Sequence, residues 1–272
     1  SYSSQDEKIA SVDKDGNVTL SSEIQAGKPA AEKSAEDGTG ESQPLYMSLN
    51  HVMEYYIFAY YFQPATEVRC TDIPYGEYYR TYGQLALSMQ KYNGAKKAYE
   101  RAIAWNPVDL DAYLGLAEVY KYQNQREKYL TVTKQAYRYC CTRATMARYY
   151  RNMAFYYLSG YEPETARACY QYSNVYYHTE NADSELKYIS EAIQQETPQT
   201  DIRAIQKLFD EKQIEPGPDS QTIGIVYKVG EILLKDGDYK LAKDCYSIVY
   251  DITQDASAEK LLNELEAAIA GN

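Results

Sequence analysis

Residues 79–107 contain the feature that most limits what this chain can fold into: two helical patterns joined by a short polar turn. Gly83 in the first pattern and Ala95 in the second are small, and Tyr99 adds a large aromatic ring. Small side chains at these positions favour two antiparallel helices whose backbones approach closely, with the aromatic ring in the seam toward the next helix. Pro107 ends the second pattern, because its ring cannot continue a helical hydrogen-bond ladder. The stretch predicts a tightly packed helix pair.

The same combination of small, aromatic and helix-ending residues recurs along the chain. From a first unit at residue 76, a step of 34 residues leads to a second unit at 110, and further matches begin near 147 and 223. The third match comes three residues late, with the extra residues at a helix junction. A helix pair of this size cannot bury its apolar face alone, so such units stack on their neighbours to form one continuous core.

These units resemble the tetratricopeptide repeat, whose length is 34 residues. The resemblance covers residues 76–177 and 223–256, half of the chain, and rests on glycine, alanine, aromatic and proline residues at fixed offsets in four units. It implies an all-α fold, a tetratricopeptide-like α-solenoid of antiparallel helix pairs with a capping helix at each end. The first helices of such a superhelix line a concave groove that usually binds a peptide or a protein segment.

The helical repeat domain is expected to extend over residues 44–272. Residues 181–214 predict two irregular helices, for which Asn181 and Asp201 are suitable N-caps. Residues 256–270 form an amphipathic pattern that predicts a capping helix at the end of the solenoid. The four repeats are assigned to residues 76–109, 110–143, 147–180 and 223–256.

Residues 44–62 are densely apolar and predict a single helix that ends before a loop at 65–76. Asn50, His51 and Glu54 lie near the middle of this pattern, and polar groups there are expensive in a membrane. The pattern therefore favours a buried helix under the first repeat over a membrane span.

Residues 1–43 are rich in small and charged residues and predict a disordered acidic segment, with a short hairpin within residues 12–20 as its one local signal. The total charge of −11 is uneven: residues 1–43 have 4 Lys against 9 acidic residues, and residues 215–272 have 5 basic against 11 acidic residues. An acidic total argues against nonspecific nucleic-acid binding. Either acidic end could fold back onto the groove.

Catalytic and metal-binding patterns are missing from the sequence. Of the two histidines, His51 is expected to be a satisfied core residue and His178 a helix cap. The five cysteines include no C-x-x-C pair, so most are expected in the core, and they favour a reducing compartment. The sequence therefore predicts no enzyme activity, no cofactor and no metal.

The resemblance also suggests binding residues, because some tetratricopeptide proteins hold the C-terminal carboxylates of their partners with a clamp on three consecutive first helices. By repeat position, the clamp falls on five residues of this sequence, with Arg151 next to the last two: Arg80, Gln84, Gly115, Arg148 and Asn152. Gly115 removes one side-chain contact, whereas arginine can hold a carboxylate through two parallel hydrogen bonds. The same charges could instead be the solvated face of each helix.

Further residues on this surface are Lys121, in a locally basic stretch, and aromatic side chains that could supply apolar contacts. The candidate peptide-binding groove consists of eight residues: Arg80, Gln84, Lys121, Tyr122, Arg148, Arg151, Asn152 and Phe155. The predicted function is a non-catalytic, cytoplasmic scaffold whose groove binds a protein or peptide partner with acidic or C-terminal carboxylate segments. The alternative is a structural module that forms homo-oligomers through tyrosine-rich faces, since the chain has 32 tyrosines.

Overall fold

The computed structural model describes residues 10–12, 18–20 and 44–270. The contacts divide the chain into two compact units, Ser1–Val132 and Thr133–Asn272. The described residues form twelve helices and two small two-stranded sheets. Within each unit, helices joined by short turns pack on one another as neighbours, so the predicted all-α class of tetratricopeptide-like helix pairs is confirmed.

The first unit combines short strands with the first helix pairs. Its elements in chain order are β1 (Ala10–Val12), β2 (Val18–Leu20), β3 (Leu45–Met47), α1 (Val52–Phe62), β4 (Val68–Cys70), α2 (Tyr75–Ser88), α3 (Tyr92–Trp105), α4 (Leu110–Tyr122) and the start of α5 (Arg126–Tyr137). β1 pairs antiparallel with β2, in agreement with a hairpin here, and β2 lies next to α2. The rest of the predicted disordered segment, including the hairpin turn, lies outside the described residues.

The seam of this unit is built around one aromatic ring. Tyr99 on α3 is 1% exposed, and its ring lies against two glycines on two other helices, Gly83 on α2 and Gly115 on α4. A Cβ atom added at Gly83 would lie 3.0 Å from ring carbons, and one added at Gly115 would lie 2.3 Å from them. Both glycines therefore make room for the ring, which explains why the second repeat has no side chain at residue 115.

The second unit continues the pattern with seven whole helices after the end of α5. They are α6 (Arg143–Ser159), α7 (Pro163–Tyr176), α8 (Glu180–Ile193), α9 (Ile202–Lys212), α10 (Ser220–Lys235), α11 (Tyr239–Thr253) and α12 (Ala256–Ala270). α6 packs on α7, α10 packs on α11, and α12 packs on α11 as the terminal helix. The irregular helices α8 and α9 both pack on α7. A Cβ atom added at Gly230 on α10 would lie 3.0 Å from the ring of Tyr246 on α11, so a glycine again makes room for a tyrosine.

The turn inside each helix pair has one conformation. One residue of each turn has a backbone conformation in the left-handed region. These residues are Gln90 (φ 59°), Asn124 (φ 54°), Tyr161 (φ 62°) and Gly237 (φ 84°). In each turn the N–H of the following residue donates to the carbonyl five residues earlier, as Lys91 does to Ala86 at 2.8 Å. This Schellman geometry satisfies the last carbonyls of the first helix and reverses the chain. The same geometry also ends α8 at Gln194 and α9 at Gln213.

The helix predicted over residues 44–62 is wrong at its start, because α1 begins at Val52. The preceding residues form β3, which pairs in parallel with β4 inside the stretch that was predicted as a loop. The carboxylate of Glu54 accepts hydrogen bonds from the backbone N–H (2.6 Å) and the side chain (3.0 Å) of Asn50. These bonds hold the chain just before the first turn of α1 and fix where the helix begins.

Two histidine predictions and one cap are also corrected. The side chain of His51 is 52% exposed, so His51 is not a core residue. The N-cap of α8 is Thr179, which replaces both Asn181 and His178 in that role, because its hydroxyl accepts from a backbone N–H of the first turn. Asp201 caps α9 as predicted.

Candidate functional site

Four of the predicted groove residues lie on α6, where spacings of three and four residues place them along one side of the helix. Arg148, Arg151 and Phe155 are partly exposed on this side, and Asn152 beside them is buried. The opposite side of α6 is packed into the core through fully buried residues such as Met153. The fold therefore presents two arginines, an amide and an aromatic ring together on one partly exposed stripe.

The electrostatic setting of this stripe favours an anion. The Nη1 atom of Arg151 is buried and has no hydrogen-bond acceptor within the described part of the chain. Burial lowers the pKa of Arg151, and the positive charge of the neighbouring Arg148 lowers it further. Residues 44–270 contain no carboxylate in an ion pair with either arginine. A partly buried cation without a counter-charge is unfavourable, so this position has an unmet requirement for a negative group.

Arg80 has a different setting, because its guanidinium already binds a carboxylate of the same unit. Its Nη1 lies 3.0 Å and 2.9 Å from the two carboxylate oxygens of Asp109, which is 1% exposed. Asp109 also caps α4 by accepting from the N–H of Ala112 at 3.1 Å. Burial raises the pKa of Asp109, whereas the charge of Arg80 lowers it. Arg80 therefore connects α2 to the start of α4.

The other groove candidates of the first unit lie on the surfaces of α2 and α4. Gln84 is exposed, and Tyr122 is 58% exposed with its ring stacked on Tyr92 of α3 at 5.6 Å. Lys121 precedes Tyr122 in the last turn of α4. That these residues share one groove with the stripe on α6 stays a prediction.

Helix α1 carries an aromatic surface on the first unit. The exposed fractions of Tyr55, Tyr60 and Phe62 are 38%, 47% and 46%. The first turn of the helix is fixed by Glu54, which accepts a hydrogen bond from the side chain of Asn106 at 2.7 Å. No helix within the described ranges is long and apolar enough to cross a membrane. Self-assembly through tyrosine-rich faces stays a prediction.

Sequence reasoning missed a group of tyrosines around residues 214–219, a stretch that the sequence identifies only as a helix breaker. Three tyrosine hydroxyls donate to three consecutive carbonyl oxygens: Tyr150 to Glu215 (2.8 Å), Tyr172 to Pro216, and Tyr137 to Gly217 (2.8 Å). These three tyrosines, on α6, α7 and α5, are termed the tyrosine row. No local pattern indicates them, because the tyrosines and their acceptors are 44 to 80 residues apart in sequence.

Comparison with known proteins gives distant structural likenesses. No protein-family model and no curated protein sequence matches the chain. One similar solved structure is that of the APC/C hetero-tetramer Cut9-Hcn1, with a TM-score of 0.40 and 13% identity over 71% of this chain and 36% of that chain. Another is YrrB, described as a TPR protein with an unusual peptide-binding site, with a TM-score of 0.37 and 14% identity over 78% of this chain and 97% of that chain. The chain thus spans little more than a third of the first of these relatives, and neither likeness identifies a residue role here.

Proposed function

We propose that this protein is a non-catalytic scaffold that binds a protein or peptide segment, and that Arg148 and Arg151 on α6 hold an acidic side chain or a C-terminal carboxylate of the partner. The observation that carries the proposal is the buried Nη1 of Arg151, for which the described residues provide no acceptor. This atom is removed from water, and no carboxylate of the described residues compensates for the loss of its hydration.

A carboxylate is the ligand that best meets this requirement. Guanidinium and carboxylate groups match in shape and form two parallel charge-assisted hydrogen bonds. Arg148 lies one helical turn away and adds a second positive charge to the same ligand. An anion bound here would reverse the effect of burial on the pKa of Arg151, because a nearby negative charge favours the charged guanidinium. Phe155, one turn further along, offers an apolar contact to the neighbouring residue of the ligand.

The test measures binding of a fluorescein-labelled hexaglutamate peptide by fluorescence anisotropy. The full chain is compared with a variant that carries Arg148→Gln and Arg151→Gln. Since a hydrogen bond to a charged group contributes about 1.5–3 kcal/mol, loss of both arginines is expected to weaken binding about a hundredfold. A C-terminally amidated peptide separates the two ligand types, because only the terminal-carboxylate form loses affinity on amidation.

The matched control removes two positive charges elsewhere in the same unit, through Lys187→Gln and Lys260→Gln. Both lysine side chains are 77% exposed. At physiological salt, exposed charges outside the site are largely screened, so this variant is expected to bind within about twofold of the parent. Equal losses in the two double variants would mean that the peptide responds only to net charge. No binding of hexaglutamate to the parent chain would also refute the site.

A further inference from the structure

The contact between the tyrosine row and residues 215–217 has the form of a binding site with a bound peptide segment. Each of three neighbouring carbonyls accepts one hydroxyl hydrogen bond, and the three donors come from three different helices. Backbone carbonyls occur in every peptide, so a site of this kind selects for the shape of the chain more than for its side chains. The geometry therefore describes a site that binds backbone.

The aromatic rings behind the row hold its donors in place. Tyr150 is fully buried, and its ring stacks on Phe209 of α9 (5.6 Å between centroids) and on Tyr176 of α7 (5.6 Å). The ring of Tyr172 meets Phe209 edge-on at 5.0 Å. Aromatic contacts in these geometries fix the ring planes, so the hydroxyls are positioned before any ligand arrives.

The hydroxyl groups of the row also act as hydrogen-bond donors and not as acceptors toward residues 215–217. The side chain of Gln206 donates to the hydroxyl oxygen of Tyr172 at 3.2 Å, which leaves the hydroxyl proton for the carbonyl of Pro216. Burial raises the pKa of Tyr137 and of Tyr150, so both hydroxyls stay protonated across the physiological range. The row therefore presents three donors and favours a ligand that offers only acceptors.

The segment that occupies the row fits this description. Pro216 has no backbone N–H to donate, and its side chain and that of Glu215 are exposed. The carbonyls of residues 215–217 accept the hydrogen bonds from the tyrosines. The segment is attached at both ends, by the buried Ile214 (2% exposed) and by Asp219, which caps α10.

We propose that the tyrosine row is a second binding site, separate from Arg148 and Arg151, for a proline- and glycine-containing segment of a partner protein, and that residues 215–217 occupy this site in cis. Proline-containing segments bind aromatic-lined surfaces because they lose little conformational entropy and present their carbonyls. The attached segment competes at an effective concentration on the order of millimolar, so it excludes weak ligands and admits only a partner that binds more tightly. The site is thereby gated by its own chain.

The first experiment weakens the attached segment and offers the same segment in trans. A variant with Glu215→Gly, Pro216→Ser and Pro218→Ser makes the segment flexible and so raises the entropy lost when it occupies the row. The probe is a fluorescein-labelled peptide with the sequence of residues 212–221. The variant is expected to bind this peptide at least about tenfold more tightly than the parent chain does, because the competing segment is weakened. Adding Tyr137→Phe and Tyr150→Phe removes two donors and should lower that binding again by about tenfold or more.

The matched control introduces Tyr188→Phe and Tyr239→Phe into the flexible variant. These tyrosines are 59% and 43% exposed and lie outside the row, so their hydroxyls should not matter. A flexible variant that keeps its helical circular dichroism but binds the peptide no better than the parent overturns the proposal. Equal losses from the row and control substitutions overturn it too.

A second measurement uses the parent chain and decides the matter if the flexible variant does not fold. The chain is labelled with fluorotyrosine, and its resonances are assigned through single Tyr→Phe variants. Unlabelled peptide is added to about tenfold above the millimolar effective concentration of the attached segment.

Saturable shifts of the Tyr137, Tyr150 and Tyr172 resonances with an unchanged Tyr188 resonance support displacement of the attached segment. Unchanged row resonances at the highest peptide concentration show that residues 215–217 are a fixed part of the fold. Because this measurement reads the tyrosines of the row and not the arginines of the α6 stripe, failure here leaves the proposal for Arg148 and Arg151 standing.

Discussion

Replacing Gly115 by alanine tests the packing on which the repeat depends. The new Cβ atom would lie 2.3 Å from the Cε1 and Cζ atoms of Tyr99. Carbon atoms pack at about 3.5–4.0 Å, so the ring must move by more than 1 Å. Tyr99 is 1% exposed and Gly83 closes its other face, so the ring has no free space to enter. Overpacking of this kind costs up to about 3 kcal/mol, and alanine regains about 1 kcal/mol of helix propensity. The expected net destabilisation is about 2 kcal/mol.

Gly224 provides the matched control, because it also lies inside a helix. A Cβ atom added there meets nothing within 4 Å, and the residue is exposed on α10. Gly224→Ala therefore keeps only the propensity gain and should stabilise the second unit by about 1 kcal/mol. The same chemical change is thus expected to have opposite signs at the two positions.

Chemical denaturation followed by two probes measures both effects. Trp105 is the single tryptophan, is 2% exposed and stacks on Tyr75 at 4.6 Å, so its fluorescence reports on the first unit. Helical circular dichroism reports on both units. In a Tyr99→Ala background the clash is absent, and Gly115→Ala should become neutral or stabilising. A stabilising Gly115→Ala in the parent chain, equal to that of Gly224→Ala, would refute the close approach of α3 and α4.

Two further predictions concern strain and thiol chemistry. Tyr161 is 93% exposed and has a φ of 62°, a backbone conformation that is unfavourable for a bulky residue. Tyr161→Gly is therefore expected to raise the free energy of unfolding by about 1 kcal/mol in thermal or chemical denaturation. An unchanged or lower free energy of unfolding would contradict the strain. Iodoacetamide at pH 8 should modify Cys70 first, because Cys70 is exposed whereas Cys140 and Cys169 are fully buried. Burial also raises the pKa of Cys141 to about 11, so little of its thiolate is present at pH 8. Mass spectrometry identifies which cysteine of the native protein has been modified. The reaction rate of Cys141 should increase as the pH rises toward 11. Modification of the buried thiols at the rate of Cys70 would show that the core opens.

The helix pairs were predictable from sequence because their causes are local. Small residues such as Gly83, the aromatic Tyr99 and the helix-ending Pro107 act within one repeat, and sterics between adjacent helices depend on residues a few turns apart. The α6 stripe was predictable for the same reason, since helical periodicity alone places Arg148 and Arg151 one turn apart on one side.

Only the tertiary structure decided which polar groups meet. Asp109 binds Arg80 from 29 residues away, and this pairing, which no repeat position indicates, gives Arg80 an internal role. β3 and β4 pair because the chain brings them together, although their sequences predicted a helix and a loop. The tyrosine row meets carbonyls that lie up to 80 residues further along the chain. Periodicity determines which side of a helix a residue occupies, whereas the partner that residue contacts depends on how distant segments close on one another.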